Sequence, residues 1–383
     1  MASPLSAKKH NEAMREYVGA GTDRAHSLGN RGPIRFDANG KLAQDILDAY
    51  WEHGFYVFEG LVAENEISLL RHDYDYILDR APVDNSADID LYGRPALGID
   101  FARRPYSMIK PLSDPWGGTE LLGGRHQTQM DQPTPATDAP KKVPFLIGSM
   151  CQLSDAALRL YGHADILTVA EGINGPDFVP FNDATFVKQA GLGGSVAWHQ
   201  DGLTHWNSPQ WDEGIHGFNF QVQLYECTPY NCLWVMPGTH KLGKIDIKQR
   251  VADNGGSERL PGAVPLLCNP GDVTIANRQV LHCSFANSSP NIRISVTFGF
   301  HRLTSVLGAR GVLGQESEVV YDEERVDARS SVIQVAIDAR ANFYPDEKRY
   351  TYAPFAGRES EYRFCPEVVE HVLKDYTLND LSI

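Results

Sequence analysis

The residues of this chain whose types and spacing could do chemistry are His199 and Asp201, in the segment SVAWHQDGLTHW, and His282 and Arg293, in VLHCSFANSSPNIRISVTF. Two imidazoles and one carboxylate form the facial set that holds non-heme Fe(II) and leaves positions open for a cosubstrate and O2. A histidine and an aspartate at i and i+2 project from one face of a β-strand, so one extended segment would supply two adjacent ligands. The third must then come from a distant strand, which accounts for the long gap to His282. Arg293 adds a permanent cation with a planar fork that grips a carboxylate.

A lone His-x-Asp carries little weight, so the surroundings of the second histidine matter. The stretch between His282 and Arg293 reads as a hairpin whose turn, ANSSPN, is rich in turn formers. The returning strand alternates, with Arg293, Ser295, Thr297 and Gly299 on one face and Ile292, Ile294, Val296 and Phe298 on the other. Arg293 is therefore expected to point into a polar interior while the aliphatic face packs outward. Ser284, two residues after His282, shares that histidine's face.

This constellation resembles the phytanoyl-CoA dioxygenase family of Fe(II)/2-oxoglutarate oxygenases. The resemblance rests on His199, Asp201, His282, Ser284 and Arg293, and on the stretches LWVMPGTHKLG (233–243) and NPGDVTIANRQVLHCS (269–284). The segment AYWEHGFYVFEGLVAENEISLLRHDYDYIL (49–78) looks like that family's opening, and the matches together cover residues 41–302. The resemblance implies Fe(II) on His199, Asp201 and His282, with 2-oxoglutarate and O2 as co-reactants. It implies that Arg293 pairs with the far carboxylate of 2-oxoglutarate, with Ser284 beside it and Asn182 as a cosubstrate-facing amide. It further implies oxidation of a small organic metabolite, by hydroxylation, or by desaturation or rearrangement with the same oxidant, with release of succinate and CO2. Related halogenases lack the carboxylate ligand, so Asp201 favours hydroxylation. A dedicated insertion suggests a secondary metabolite as substrate.

Composition bounds the alternatives. The net charge of −14 over 383 residues argues against a nucleic-acid partner, which needs clustered Lys and Arg. No apolar run is long enough to span a membrane, and the polar start MASPLSAKKHNEAMREYV has no secretory apolar core. The six cysteines, at 151, 227, 232, 268, 283 and 365, form no C-x-x-C pair and read as reduced thiols of a cytoplasmic protein, monomeric or homodimeric.

The elements that must position these residues read as an α+β chain with a mainly β core. The expected core is a double-stranded β-helix, a cupin-like jelly roll flanked by N- and C-terminal helices. Residues 1–40 read as a partly ordered lead with one short helix, 41–302 as the catalytic domain, and 303–383 as an extension packing on the barrel. Amphipathic helices are expected at 41–52 and 63–80, and one or two more over 145–175. GFNFQVQLYE alternates Asn219, Gln221, Gln223 and Tyr225 against Phe218, Phe220, Val222 and Leu224, as a strand between a polar cavity and a core would. Residues 82–145, rich in Pro and Gly, read either as a lid or as a surface excursion packed by its own aromatics. His205, Trp206 and Trp211 are candidates for the pocket mouth. Two other classes stay open: a cupin-type metal-dependent isomerase, which would need no Arg293/Ser284 clamp, and a non-catalytic jelly-roll binding protein.

Overall fold

The computed structural model describes residues 6–202, 217–311 and 318–382. Twelve strands build the two sheets that matter for the site. They are β1 (Arg31–Gly32), β2 (Phe55–Phe58), β3 (Tyr106–Ile109), β4 (Val143–Gly148), β5 (Val179–Lys188), β6 (Val196–His199), β7 (Phe218–Gln223), β8 (Trp234–Val235), β9 (Val264–Pro265), β10 (Val273–Asn277), β11 (His282–Ser284) and β12 (Arg293–His301). The larger sheet has eight strands in the order β1-β2-β10-β7-β12-β5-β4-β3, antiparallel except for β1 on β2. The smaller has four in the order β6-β11-β8-β9 and is antiparallel throughout.

The period-two patterns set the faces of the larger sheet. Ile294, Val296, Phe298 and Phe300 of β12 join Phe218, Phe220 and Val222 of β7 in one buried cluster. Helices cover this face: α3 (Glu64–Asp79), α4 (Met150–Leu153), α5 (Asp155–Tyr161), α6 (Ala164–Asn174) and the long α9 (Glu323–Phe343) all contribute to the same cluster. The ring of Tyr161 sits 5.2 Å edge-on to Phe298, and Phe220 lies 5.5 Å from the same ring. The opposite face carries the polar alternates Arg293, Ser295, Thr297, Asn219, Gln221 and Gln223. It looks toward the smaller sheet across a shared cavity.

Several expectations need correction. Residues 1–40 hold more than a short helix: α1 (Ala7–Ser27) runs for 21 residues and packs on the outer face of the smaller sheet, with Tyr17 stacked 4.4 Å from Trp234. Residues 143–148 are strand β4, not helix, and three helices follow. The stretch 82–145 is not wholly irregular, because β3 and the start of β4 pair within it and extend the larger sheet. The turn between His282 and Arg293 does not close a hairpin. β11 pairs with β6 and β8, whereas β12 pairs with β5 and β7, so the segment is a corner between sheets. Asn287 fixes that corner, its amide donating to the backbone oxygens of Lys188, Gln189 and Asn291. Near the C-terminus a short turn, Pro366–Val368, is followed by a π-turn, Val369–Leu373. Among the described residues no helix is long and apolar enough to cross a membrane, and the six cysteines are all free.

Candidate metal and cosubstrate site

β6 and β11 are antiparallel neighbours with His199 directly opposite His282. Cross-strand partners on one face lie close together, and here the two imidazole centroids are 4.0 Å apart. Each ring is aimed by its own backbone. His199 Nδ1 lies 2.8 Å from the carbonyl of Ala197, and His282 Nδ1 lies 2.8 Å from that of Val280. A carbonyl only accepts, so both Nδ1 atoms carry the proton and both Nε2 lone pairs face inward.

Asp201 completes the set, but not from the strand. β6 ends at His199, and Asp201 sits past a bend where its N–H donates to Arg278 O at 2.7 Å. Asp201 Oδ1 is 3.5 Å from His199 Nε2, and Oδ2 is 3.8 Å from His282 Nε2. One donor atom from each residue falls within 4.8 Å of the others. Between them Gln200 turns the other way. Its amide donates to Gly243 O and Gln279 O, and its oxygen accepts from Ile245 N, which ties the ligand segment to its neighbours.

These donors suit a divalent ion. Metal ligation needs neutral imidazole and ionised carboxylate. Burial, then the neighbouring His199, pushes His282 down to about 3. For Asp201, burial acts upward. The Arg125 guanidinium, the hydrogen bond with His199 and the charge of His282 outweigh it and hold the carboxyl well below its usual range.

Arg293 and Ser284 line the same cavity, of about 260 Å³, as do Asn182, Asn219 and Gln221. Arg293 Nη2 donates to Gln221 Oε1 at 3.1 Å, and its Nε has no hydrogen-bond partner. Among the described residues no carboxylate forms an ion pair with it. A buried guanidinium without a counter-charge is costly unless an anion arrives. Its cross-strand partner is Lys188, whose ammonium donates to the carbonyls of Gly194 and Phe285. Burial, then the charge of Arg293, pushes Lys188 down to about 7. Asn182 lies on the β5 wall of the cavity. His205, Trp206 and Trp211 lie outside the described residues.

Two residues beside the candidate ligands were missed from sequence. The His126 ring lies tilted against that of His199 with centroids 4.3 Å apart and is wholly buried, and Arg125 Nη1 is 3.1 Å from Asp201 Oδ1. Both come from the stretch expected to be a lid or a surface excursion. The signal was an Arg-His pair after two glycines, inside a stretch without periodicity to place it. Segment 376–382 was missed too, although Asp380 and Ser382 line the cavity.

The family model for phytanoyl-CoA dioxygenase (PhyH) matches residues 123–295. Phytanoyl-CoA dioxygenase 1 of Oryza sativa subsp. japonica is 32% identical over 110 residues, which is 27% of this chain and 37% of that protein. The alignment thus spans little more than a third of that relative. Phytanoyl-CoA dioxygenase of Arabidopsis thaliana is 23% identical over 265 residues, covering 66% of this chain and 87% of that protein. The crystal structure of EctD from S. alaskensis with 2-oxoglutarate and 5-hydroxyectoine matches with a TM-score of 0.50 at 17% identity, over 74% of this chain and 85% of that one, a likeness of fold. The matched segment, less than half of the chain, contains His199, Asp201, His282 and Arg293, and over it the chain is similar to the phytanoyl-CoA dioxygenase family.

Proposed function

We propose that this protein uses Fe(II), 2-oxoglutarate and O2 to oxidise a small organic metabolite, most simply by hydroxylation, with release of succinate and CO2. The observation that carries the reading is the pairing, in one cavity, of three converging metal donors with a buried arginine that has no acid partner among the described residues. The scaffold fits a double-stranded β-helix, since the cavity lies between two antiparallel sheets and draws its wall from both.

His199, Asp201 and His282 would hold the iron, which when bound supplies the oxygen activation that side chains cannot. Arg293 would grip the distal carboxylate of 2-oxoglutarate through its planar fork, with Gln221 keeping the guanidinium in place and Ser284 adding a hydroxyl. Asn182 would face the cosubstrate from β5. The apolar side chains of Leu146, Phe186 and Val196 exclude water from the same space.

The test is iron content and succinate formation in purified variants. His199→Ala, Asp201→Ala and His282→Ala should each lose iron and turnover. Arg293→Ala should keep iron but raise the KM for 2-oxoglutarate by about two orders of magnitude or more, since truncating one side of a buried charge pair costs on the order of 2–5 kcal/mol. Full activity in either histidine variant, or an unchanged KM in Arg293→Ala, would refute the corresponding assignment.

A further inference from the structure

With Arg293 given to the cosubstrate, Asp201 to the metal and Arg103 set 3.8 Å from Asp380, the described wall of the cavity keeps a further cation, Arg125. Its Nη1 reaches Asp201 Oδ1 at 3.1 Å, its buried Nε has no hydrogen-bond partner, and its side chain forms part of the cavity wall. Arg278 flanks the other oxygen of the same carboxylate. Its Nε is 4.0 Å from Asp201 Oδ2, its guanidinium lies 3.8 Å over the Phe181 ring, and its Nε and Nη2 are buried without partners. The other carboxylate on the described cavity wall, Asp380, is already engaged by Arg329 at 2.9 Å and has Arg103 at 3.8 Å.

The charges do not balance. A divalent ion and a dianionic cosubstrate cancel each other. Among the described residues that leaves Arg125, Arg278 and Arg293 around the single carboxylate of Asp201. Buried charge without compensation is strongly disfavoured. A second anion would supply the missing charge, and the guanidinium fork of Arg125 matches a carboxylate in geometry. The wall beyond is apolar, with Trp116, Leu146, Phe181 and Phe186. This local excess of cations does not follow from composition, since the chain as a whole carries −14.

We infer that the substrate oxidised is a small organic acid whose carboxylate is held by Arg125 and whose apolar body lies against these aromatic and aliphatic side chains. The inference rests on the iron and 2-oxoglutarate reading of the site. Arg125 would be a specificity-determining residue: it selects an acid and sets its orientation beside the metal.

The test is anaerobic titration of the protein loaded with Fe(II) and 2-oxoglutarate, followed by the visible absorption band of that complex. The probes are apolar monocarboxylates of graded length, each matched with its primary amide and with a phosphate monoester of the same body. Acids should perturb the band at concentrations about tenfold or more below their amides, the order expected of one charge-assisted contact. Arg125→Gln keeps a donor toward Asp201 without the charge; it should retain the band and lose the preference, and Arg125→Lys should recover part of it. Acids no better than amides in the wild-type protein would overturn the inference, whether or not the variants fold. Phosphate esters binding as well as acids would overturn the carboxylate assignment. An Arg125→Gln protein that needs more 2-oxoglutarate yet still prefers acids would assign Arg125 to the cosubstrate instead. A wild-type protein with no band at all would refute the iron reading itself, a result distinct from these.

Discussion

Arg293 and Lys188 stand opposite each other on β12 and β5, two cations side by side in a buried sheet. Neither has an acid partner among the described residues, and the two solve the problem differently. Arg293 cannot lose its proton and waits for an anion. Lys188 can, and burial together with Arg293 brings its pKa to about 7 while its ammonium nitrogen rests on two backbone carbonyls. An unfolded lysine titrates near ~10.4. Between those values the unfolded chain binds more protons than the folded one, so stability should rise as pH rises from about 7 toward 10. Lys188→Met should flatten that part of the profile. Urea midpoints measured at several pH values across this range check it; an unaltered slope in the variant would place the titration elsewhere.

At the scale of elements, α1 shows how a helix can be specified by one missing side chain. A Cβ on Gly21 would meet the Trp234 ring at 2.5 Å, and that ring is already packed between Tyr17 and Phe285. Gly19, two residues earlier, has nothing within 4 Å. Replacing a helical glycine with alanine gains up to about 1 kcal/mol of helix propensity. Gly19→Ala should therefore stabilise the protein by that order. Gly21→Ala should instead lose about 1–3 kcal/mol to overpacking, because the rigid indole cannot yield. Chemical denaturation of the pair separates the two effects, and equal gains would mean that α1 does not dock as described.

Across the whole molecule, α9 and the segment 376–382 are joined to the site through one buried ionic cluster. Arg329 of α9 donates from Nε to Asp380 at 2.9 Å and from Nη2 to Asp183 of β5 at 3.3 Å, and Tyr376 donates to Asp183 at 2.6 Å. Asp183 points away from the cavity, next to the Asn182 that lines it, while Asp380 lines the cavity itself. Arg329→Met would leave Asp183 buried without a cation and Asp380 with only Arg103, 3.8 Å away. A loss on the order of 3–5 kcal/mol should follow. Neutralising both carboxylates as well, with Asp183→Asn and Asp380→Asn, should restore much of it, as urea unfolding of the single and triple variants would show. No difference between them would mean that the cluster contributes little as a charge network.

The sequence alone determined what depends on local spacing and residue type. The alternation Arg293-Ser295-Thr297 against Ile294-Val296-Phe298 already divides a polar cavity from a helix-covered core, because side-chain direction in a strand follows directly from position. His199, Asp201 and His282 could be named as candidate ligands because few residue types ligate iron, and the fold brings their donor atoms within 4.8 Å of one another. Pairing could not be read this way. The corner after His282 has the composition of a hairpin turn, and only the tertiary hydrogen bonds show that its two arms belong to different sheets. Asp201 looked like a strand residue because the period of two says nothing about where a strand ends. Arg125, His126 and Asp380 were hidden for a related reason. They reach the cavity from segments without periodicity, or from far along the chain, and nothing local marks an arginine that closes on a candidate metal ligand. The protein's cation-rich interior within an acidic chain is accordingly a property of the fold: it arises where distant guanidiniums converge, which composition cannot report.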